Sequence, residues 1–270
     1  MSLDAGQEVM ETRLSWEGDI AVLTINNIAR RNAMSNPVKD QMLEHLIALV
    51  GNRKCRAIVL TGAGGYFSAG GDVKRMKGSS DAGESFIERR LRMGGVSHSI
   101  VRLMVEGPKP VVTAVEGPAF GGGLSLAIAS DVSVAAKNAR FAAAQIMRGM
   151  VPDVGLFYLL SVRTSPGRAR ELVLSGRTFS AQDALNYGVV HELTEEGKAL
   201  EAALKVAEQL ASMPPLAYAL TKSAMTHSYQ TLEASFRAEQ NYQPILGLSK
   251  DHKESVVAFL EKRQAVYTGE

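Results

Sequence analysis

Apolar and polar positions change period several times along the chain, and the changes mark out its elements. Thr12 to Trp16 and Ile20 to Ile25 show strand-type patterning around Glu17-Gly18-Asp19, which predicts a β-hairpin. A polar loop carries the chain to Ser35. PVKDQMLEHLIALV then has helical spacing, with Asn36 expected as N-cap and Pro37 at the first helical position. Ala57 to Leu60 is a short apolar run of buried-strand type, ending in the glycine-rich loop Thr61 to Asp72 (TGAGGYFSAGGD). Ser85 to Val105 reads as a long helix softened at Gly94-Gly95. Val111 to Val115 is again apolar and strand-like. It turns through Glu116-Gly117-Pro118, reaches Gly121 to Gly123, becomes helical in LSLAIA and returns to strand at Val132 to Ala135.

Beyond this point helices dominate. A short strand is predicted near Arg140 to Ala142, a helical turn through Gln145 to Met147, and the loop GMVPDVG after it. Helices follow at Phe157 to Val162, Gly167 to Ser175 and Ala181 to Tyr187, the last capped by Ser180 and stopped at Gly188. Val189 to Leu193 is the final expected strand. Lys198 to Ser212, Pro215 to His227, Leu232 to Leu246 and Lys250 to Arg263 have helical pattern. Strand–helix alternation followed by an all-helical tail predicts α/β layering, with a core at 1–195 and a C-terminal helical region at 196–270.

Composition narrows the function classes. Net charge is +2, from 30 basic and 28 acidic residues without a block of like sign, so neither nucleic acid nor a membrane surface is implied. The single cysteine, Cys55, rules out an internal disulfide framework and fits a reducing compartment. With no apolar run at the N-terminus and none long enough to span a bilayer, the expected location is cytoplasmic.

Several chemistries fail on spacing. TGAGGYF has Phe67 where the dinucleotide fingerprint needs its last glycine, and no G-K-[ST] follows a glycine run. His45, His98, His191, His227 and His252 are scattered and form no metal-ligand spacing, so no metal is expected. His191, beside a strand, reads as a packed or surface histidine. Gly123-Leu124-Ser125-Leu126-Ala127 misses the nucleophile elbow at its last position, which leaves Ser125 as a small hydroxyl on the first turn of a helix.

The two glycine-rich loops remain. Each follows an apolar strand, and each can offer a backbone N–H that no side chain obstructs. Two converging amides make an oxyanion hole for a carbonyl oxygen that gains charge during reaction. The competing reading is architectural: glycines that let a helix pack closely on the sheet.

Arg31-Asn32-Ala33-Met34-Ser35, TGAGGYFSAGGD, PVVTAVEGPAFGGG, VPDVG and FLEKRQAVYTG fall in one order, and together they resemble the crotonase (enoyl-CoA hydratase/isomerase) superfamily from about residue 11 to 268. The resemblance implies a spiral core of repeated ββα turns and a C-terminal helical region that mediates trimerisation, often as a dimer of trimers. It implies an acyl-CoA thioester as substrate, with coenzyme A entering as part of it and no separate cofactor. The implied oxyanion donors are the N–H groups of Gly71 and Gly122. Ala69 is expected against the adenine, Arg30 or Arg31 and Lys74 near phosphates, and Phe259 and Lys262 on the nucleotide of a neighbouring subunit; each of these charges reads equally well as a solvated surface group.

Departures from the family pattern bear on the reaction. Hydratases of the family carry two glutamates, and the corresponding positions are Ser125 and Gln145, neither of which is a base near neutral pH. The remaining acid is Asp153 in Val151-Pro152-Asp153-Val154-Gly155. It reads either as a turn aspartate after proline or as the acid/base of an isomerase. Epoxyphenylacetyl-CoA isomerases of phenylacetate breakdown are especially similar, with an aspartate in the same P-D-x-G loop. The expected chemistry is conversion of a 3-enoyl-CoA to a 2-enoyl-CoA, or ring-epoxide isomerisation. Asp153 would shuttle the proton, desolvated by Met150, Val151, Val154 and Phe157. A hydratase or thioester hydrolase would instead form 3-hydroxyacyl-CoA or free CoA, and a non-catalytic acyl-CoA binder would show no dependence on Asp153.

Overall fold

The computed structural model describes residues 11–72, 85–228 and 231–270. Lys74 and the stretch Ser79 to Gly83 lie outside the described residues. The strands are β1 (Thr12–Glu17), β2 (Ile20–Ile25), β3 (Ala57–Gly62), β4 (Val111–Val115), β5 (Pro118–Phe120), β6 (Val132–Ala136), β7 (Arg140–Ala142), β8 (Phe179–Ser180) and β9 (Glu192–Thr194). The helices are α1 (Asn36–Gly51), α2 (Phe86–Arg92), α3 (His98–Val105), α4 (Gly122–Ile128), α5 (Leu156–Arg163), α6 (Pro166–Ser175) and α7 (Ala181–Tyr187). Beyond them come α8 (Ala199–Ala211), α9 (Pro215–His227), α10 (Leu232–Gly247) and α11 (Lys250–Glu261).

β1 and β2 pair antiparallel as the expected hairpin, and all later neighbours in the large sheet are parallel, in the order β1-β2-β3-β4-β6-β9. Parallel strands covered on both faces need continuous apolar runs, and β4 is buried along its whole length. Alternation sorts the side chains. Ile20, Val22, Ala57, Val59, Val112 and Val134 face the helix α8, whose Ala199, Ala203, Ala207 and Ala211 recur every fourth residue. Small side chains at that spacing give α8 an apolar stripe that packs closely on the sheet. The opposite face, with Leu23, Ile25, Ile58, Leu60 and Val115, joins the main core beneath α1, α3 and α4.

A second layer holds β5 parallel to β7 and β7 antiparallel to β8, in register from Pro118 opposite Arg140 to Phe141 opposite Phe179. The rings of Phe141 and Phe179 stack at 5.6 Å. Single bridges extend this layer through Ser68–Ala119 and Met34–Gly71. Each turn of the chain therefore places a strand in the large sheet, a short extended piece in the second layer, and then a helix. This is the ββα spiral expected, followed by the C-terminal helices.

Local chemistry moved some boundaries. Ser35, not Asn36, caps α1, its hydroxyl accepting from the Val38 N–H. The long helix expected at Ser85 to Val105 begins with a Ser85/Glu88 capping box, then opens into a π turn at Met93–Ser97, where the paired glycines relax it. Val189 and Val190 do not pair in β9. They are buried in the main core directly after the left-handed Gly188, and pairing begins only at Glu192. Among the described residues no helix is long and apolar enough to cross a membrane.

Candidate active site

The two glycine loops meet backbone to backbone. The Ser68 N–H donates to the Pro118 carbonyl, and the Phe120 N–H donates to the Ser68 carbonyl. A Cβ on Gly70 would stand 2.4 Å from the Phe120 oxygen, and one on Gly123 would stand 2.5 Å from the Ser68 oxygen. Both obstructing atoms are main chain and cannot swing aside. Glycine is required here for close approach, which bears out the architectural reading of these loops. Gly123→Ala is expected to cost about 3 kcal/mol or more of stability, as an overpacked core does, and chemical denaturation would measure it.

Asn32 braces the first loop. Its backbone is left-handed (φ 56°), as asparagine tolerates, and its Nδ2 donates to the Ala63 and Tyr66 carbonyls at 2.9 and 2.6 Å. The Ser68 hydroxyl returns a bond to the Asn32 carbonyl at 2.7 Å. Neither residue was assigned a role from sequence. The usable signal was an asparagine directly after an arginine pair, ahead of a polar cap, which by itself says nothing about what it holds.

The loops open on a cavity of about 260 Å³ whose lining includes Ala69, Gly71, Gly122, Gln145, Asp153 and Val154. The N–H groups of Gly71 and Gly122 donate to no acceptor among the described residues. Gly122 opens α4, where the first N–H groups have no intrahelical partner. All of α4 is buried, and Gly121 and Gly122 at its N-terminal end line the cavity.

Asp153 enters from the loop before α5. Its Oδ1 accepts from Gln145 Nε2 at 3.0 Å, and its main-chain carbonyl accepts from the Ser125 hydroxyl at 3.0 Å. The next residue, Val154, has φ 55°. A β-branched side chain in that region is strained, and such strain persists only where surrounding contacts impose it. The expected desolvation by Val151 and Phe157 is corrected: both are exposed, Val151 at 70%, and neither lines the cavity, whereas the partly exposed Met150 does line it. Val154 and Gln145 are what the carboxylate meets.

The other sequence-selected residues divide. Ala69 lines the cavity, and its N–H donates to the Arg31 carbonyl at 2.9 Å. Arg30 reaches back 2.5 Å to the buried Asp72, bracing the residue that follows Gly71. The Arg31 guanidinium lies 5.8 Å over the Tyr66 ring. Phe259 on α11 and Lys262 at its left-handed C-cap are exposed and do not line this chain's cavity. Arg89, Arg92 and Met93, where α2 runs into the π turn, also line it. His191 is structural: its Nδ1 accepts from the Ser133 N–H at 3.0 Å, and burial beside Arg163 pushes its pKa down. Burial likewise raises the Cys55 thiol.

Residues 15–270 match the family model described as enoyl-CoA hydratase/isomerase. The chain is 33% identical to the 1,2-epoxyphenylacetyl-CoA isomerase of Escherichia coli, over 97% of this chain and 100% of that protein. It is 32% identical to the 2,3-dehydroadipyl-CoA hydratase of the same organism, over 96% and 99%. A crystal structure described as a putative enoyl-CoA hydratase from Streptomyces coelicolor superposes with a TM-score of 0.90 at 33% identity, covering 100% of this chain and 98% of that one.

Proposed function

From the premise that the chain belongs to the enoyl-CoA hydratase/isomerase family, we propose that it is an acyl-CoA isomerase with Asp153 as its acid/base. The observation that carries this reading is the pair of neutral side chains at the family's glutamate positions. Ser125 and Gln145 both bond to Asp153, so the hydrating carboxylates are replaced by groups that serve a single aspartate. Of the carboxylates lining the cavity, Asp72 is paired with Arg30, whereas Asp153 meets a neutral amide.

In the proposed reaction the thioester oxygen takes hydrogen bonds from the Gly71 and Gly122 amides. As the C2–H bond breaks, its electron pair moves toward that oxygen and the proton goes to Asp153. Enolate character is favoured because the two N–H dipoles are fixed before charge develops. The proton then returns at C4, the electrons move back, and a 3-enoyl-CoA has become a 2-enoyl-CoA. One carboxylate suffices because it takes and returns the same proton. The chemistry calls for no cofactor beyond the CoA of the substrate. On an epoxide-bearing aromatic acyl-CoA, the substrate type named for the 33% identical isomerase, the same groups would promote ring-epoxide isomerisation.

The C-terminal helices are proposed to pack against other copies as a trimer or dimer of trimers. Exposed Phe236, Ile245, Leu248 and Phe259 on and beside α10 and α11 support this, and sedimentation would test it. Phe259 and Lys262 would then reach the nucleotide of a neighbouring copy.

Mass spectrometry on a 3-enoyl-CoA tests the reaction. The expected product has unchanged mass and a conjugated double bond. A main product heavier by one water, or release of free CoA, would place the chain among hydratases or hydrolases instead.

A further inference from the structure

Gln145 and Ser125 are left over once hydration is set aside, yet both are aimed at one residue. We propose that they are positioning residues for Asp153, with Gln145 selecting which carboxylate oxygen exchanges the proton. The inference rests on Asp153 being the acid/base.

The contacts divide the work between them. Ser125 is fully buried on α4, and its hydroxyl holds the Asp153 main-chain carbonyl at 3.0 Å, tying the loop to the helix that begins with Gly122. Gln145 holds the side chain, Nε2 to Oδ1 at 3.0 Å. Its own main chain is anchored, its carbonyl accepting from the Arg148 and Met150 N–H groups at 2.9 and 3.1 Å. Among the described residues Gln145 Oε1 is buried without a partner, an unusual state for an amide oxygen. Turning the amide over would set its oxygen against the Asp153 Oδ1 and lose the Nε2 bond, so Asp153 fixes the Gln145 orientation and accounts for the orphan.

The consequence is an unequal carboxylate. Oδ1 is occupied by the amide N–H, and Oδ2 accepts no bond from the described residues. Oδ2 is therefore the oxygen that forms an O–H bond as C2–H breaks, and the one that releases the proton as C4–H forms. The two oxygens exchange by rotation about the Cβ–Cγ bond, and the Gln145 bond to Oδ1 opposes that rotation.

Gln145→Met keeps side-chain length and removes the donor. On a 3-enoyl-CoA deuterated at C2, kcat is expected to fall about tenfold to a hundredfold, the scale of a small misplacement of a reacting group. KM should stay close to wild type. The fraction of label carried to C4 should also fall, because a free carboxylate protonates on either oxygen and exchanges with water. Gln145→Leu is the second variant should Gln145→Met fold poorly, and Ser125→Ala should lower kcat in the same direction. Wild-type label transfer in folded Gln145 variants would overturn the proposal, whether kcat is preserved or reduced, since packing alone would then explain the residue. Full turnover by Asp153→Asn would instead remove the acid/base assignment on which the proposal rests.

Discussion

Asp153→Asn should bind acyl-CoA as the parent protein does and fail to isomerise it. An amide is nearly the same size as the carboxylate and keeps an oxygen to accept from Gln145 Nε2, so the loop has little reason to move. What disappears is the base, because an amide nitrogen has no lone pair available near neutral pH. General acid–base groups contribute about a hundredfold to ten-thousandfold, so kcat should fall by that order while affinity for the thioester changes little. Steady-state turnover of a 3-enoyl-CoA, with calorimetric titration of a non-reacting acyl-CoA, separates the two. Turnover within a factor of a few of wild type would take Asp153 out of the mechanism.

The second large effect belongs to an atom that no side chain owns. Gly122 is the first residue of α4, a position where proline is well tolerated, and its N–H donates to nothing among the described residues. Gly122→Pro deletes that hydrogen without breaking a bond of the fold. Loss of one oxyanion donor costs about a hundredfold to a thousandfold in kcat. Gly122→Ala is the control, since it keeps the N–H and its Cβ would meet only Val154 Cγ2, at an ordinary 3.8 Å. Near-normal turnover in the alanine variant and deep loss in the proline variant would assign the effect to the amide. Equal activity in the two would exclude Gly122 as a donor.

Much of this arrangement was legible because its signals are local. Apolar runs flanked by glycine marked β3 and β4, and the switch from strand to helix after Gly121 to Gly123 marked α4. β5 and β8 were not legible. They are three and two residues long, and their partners lie in other turns of the spiral, so no periodicity can develop within them. The cap of α1 shifted by one residue because Ser35 and Asn36 are both good caps, and the choice was made by which side chain reaches the Val38 N–H. Asp153 was found by its place in a motif, but its surroundings were misjudged. Two neighbours in sequence, Val151 and Phe157, stand exposed outside the cavity, and the group that touches the carboxylate, Gln145, comes from the preceding turn. Arg30 shows the same limit: the family resemblance implies a phosphate nearby, and only the fold reveals Asp72 as its partner.

Val154 carries a further consequence for variation at this locus. Its left-handed backbone disfavours a branched side chain, so several replacements there would relax the folded protein. A screen that rewards only heat resistance would collect them, and would do so at the position next to the proposed acid/base. Improved variants from such a screen should therefore be the ones checked first for slow turnover. Those obtained by selecting on growth should keep the uncomfortable valine.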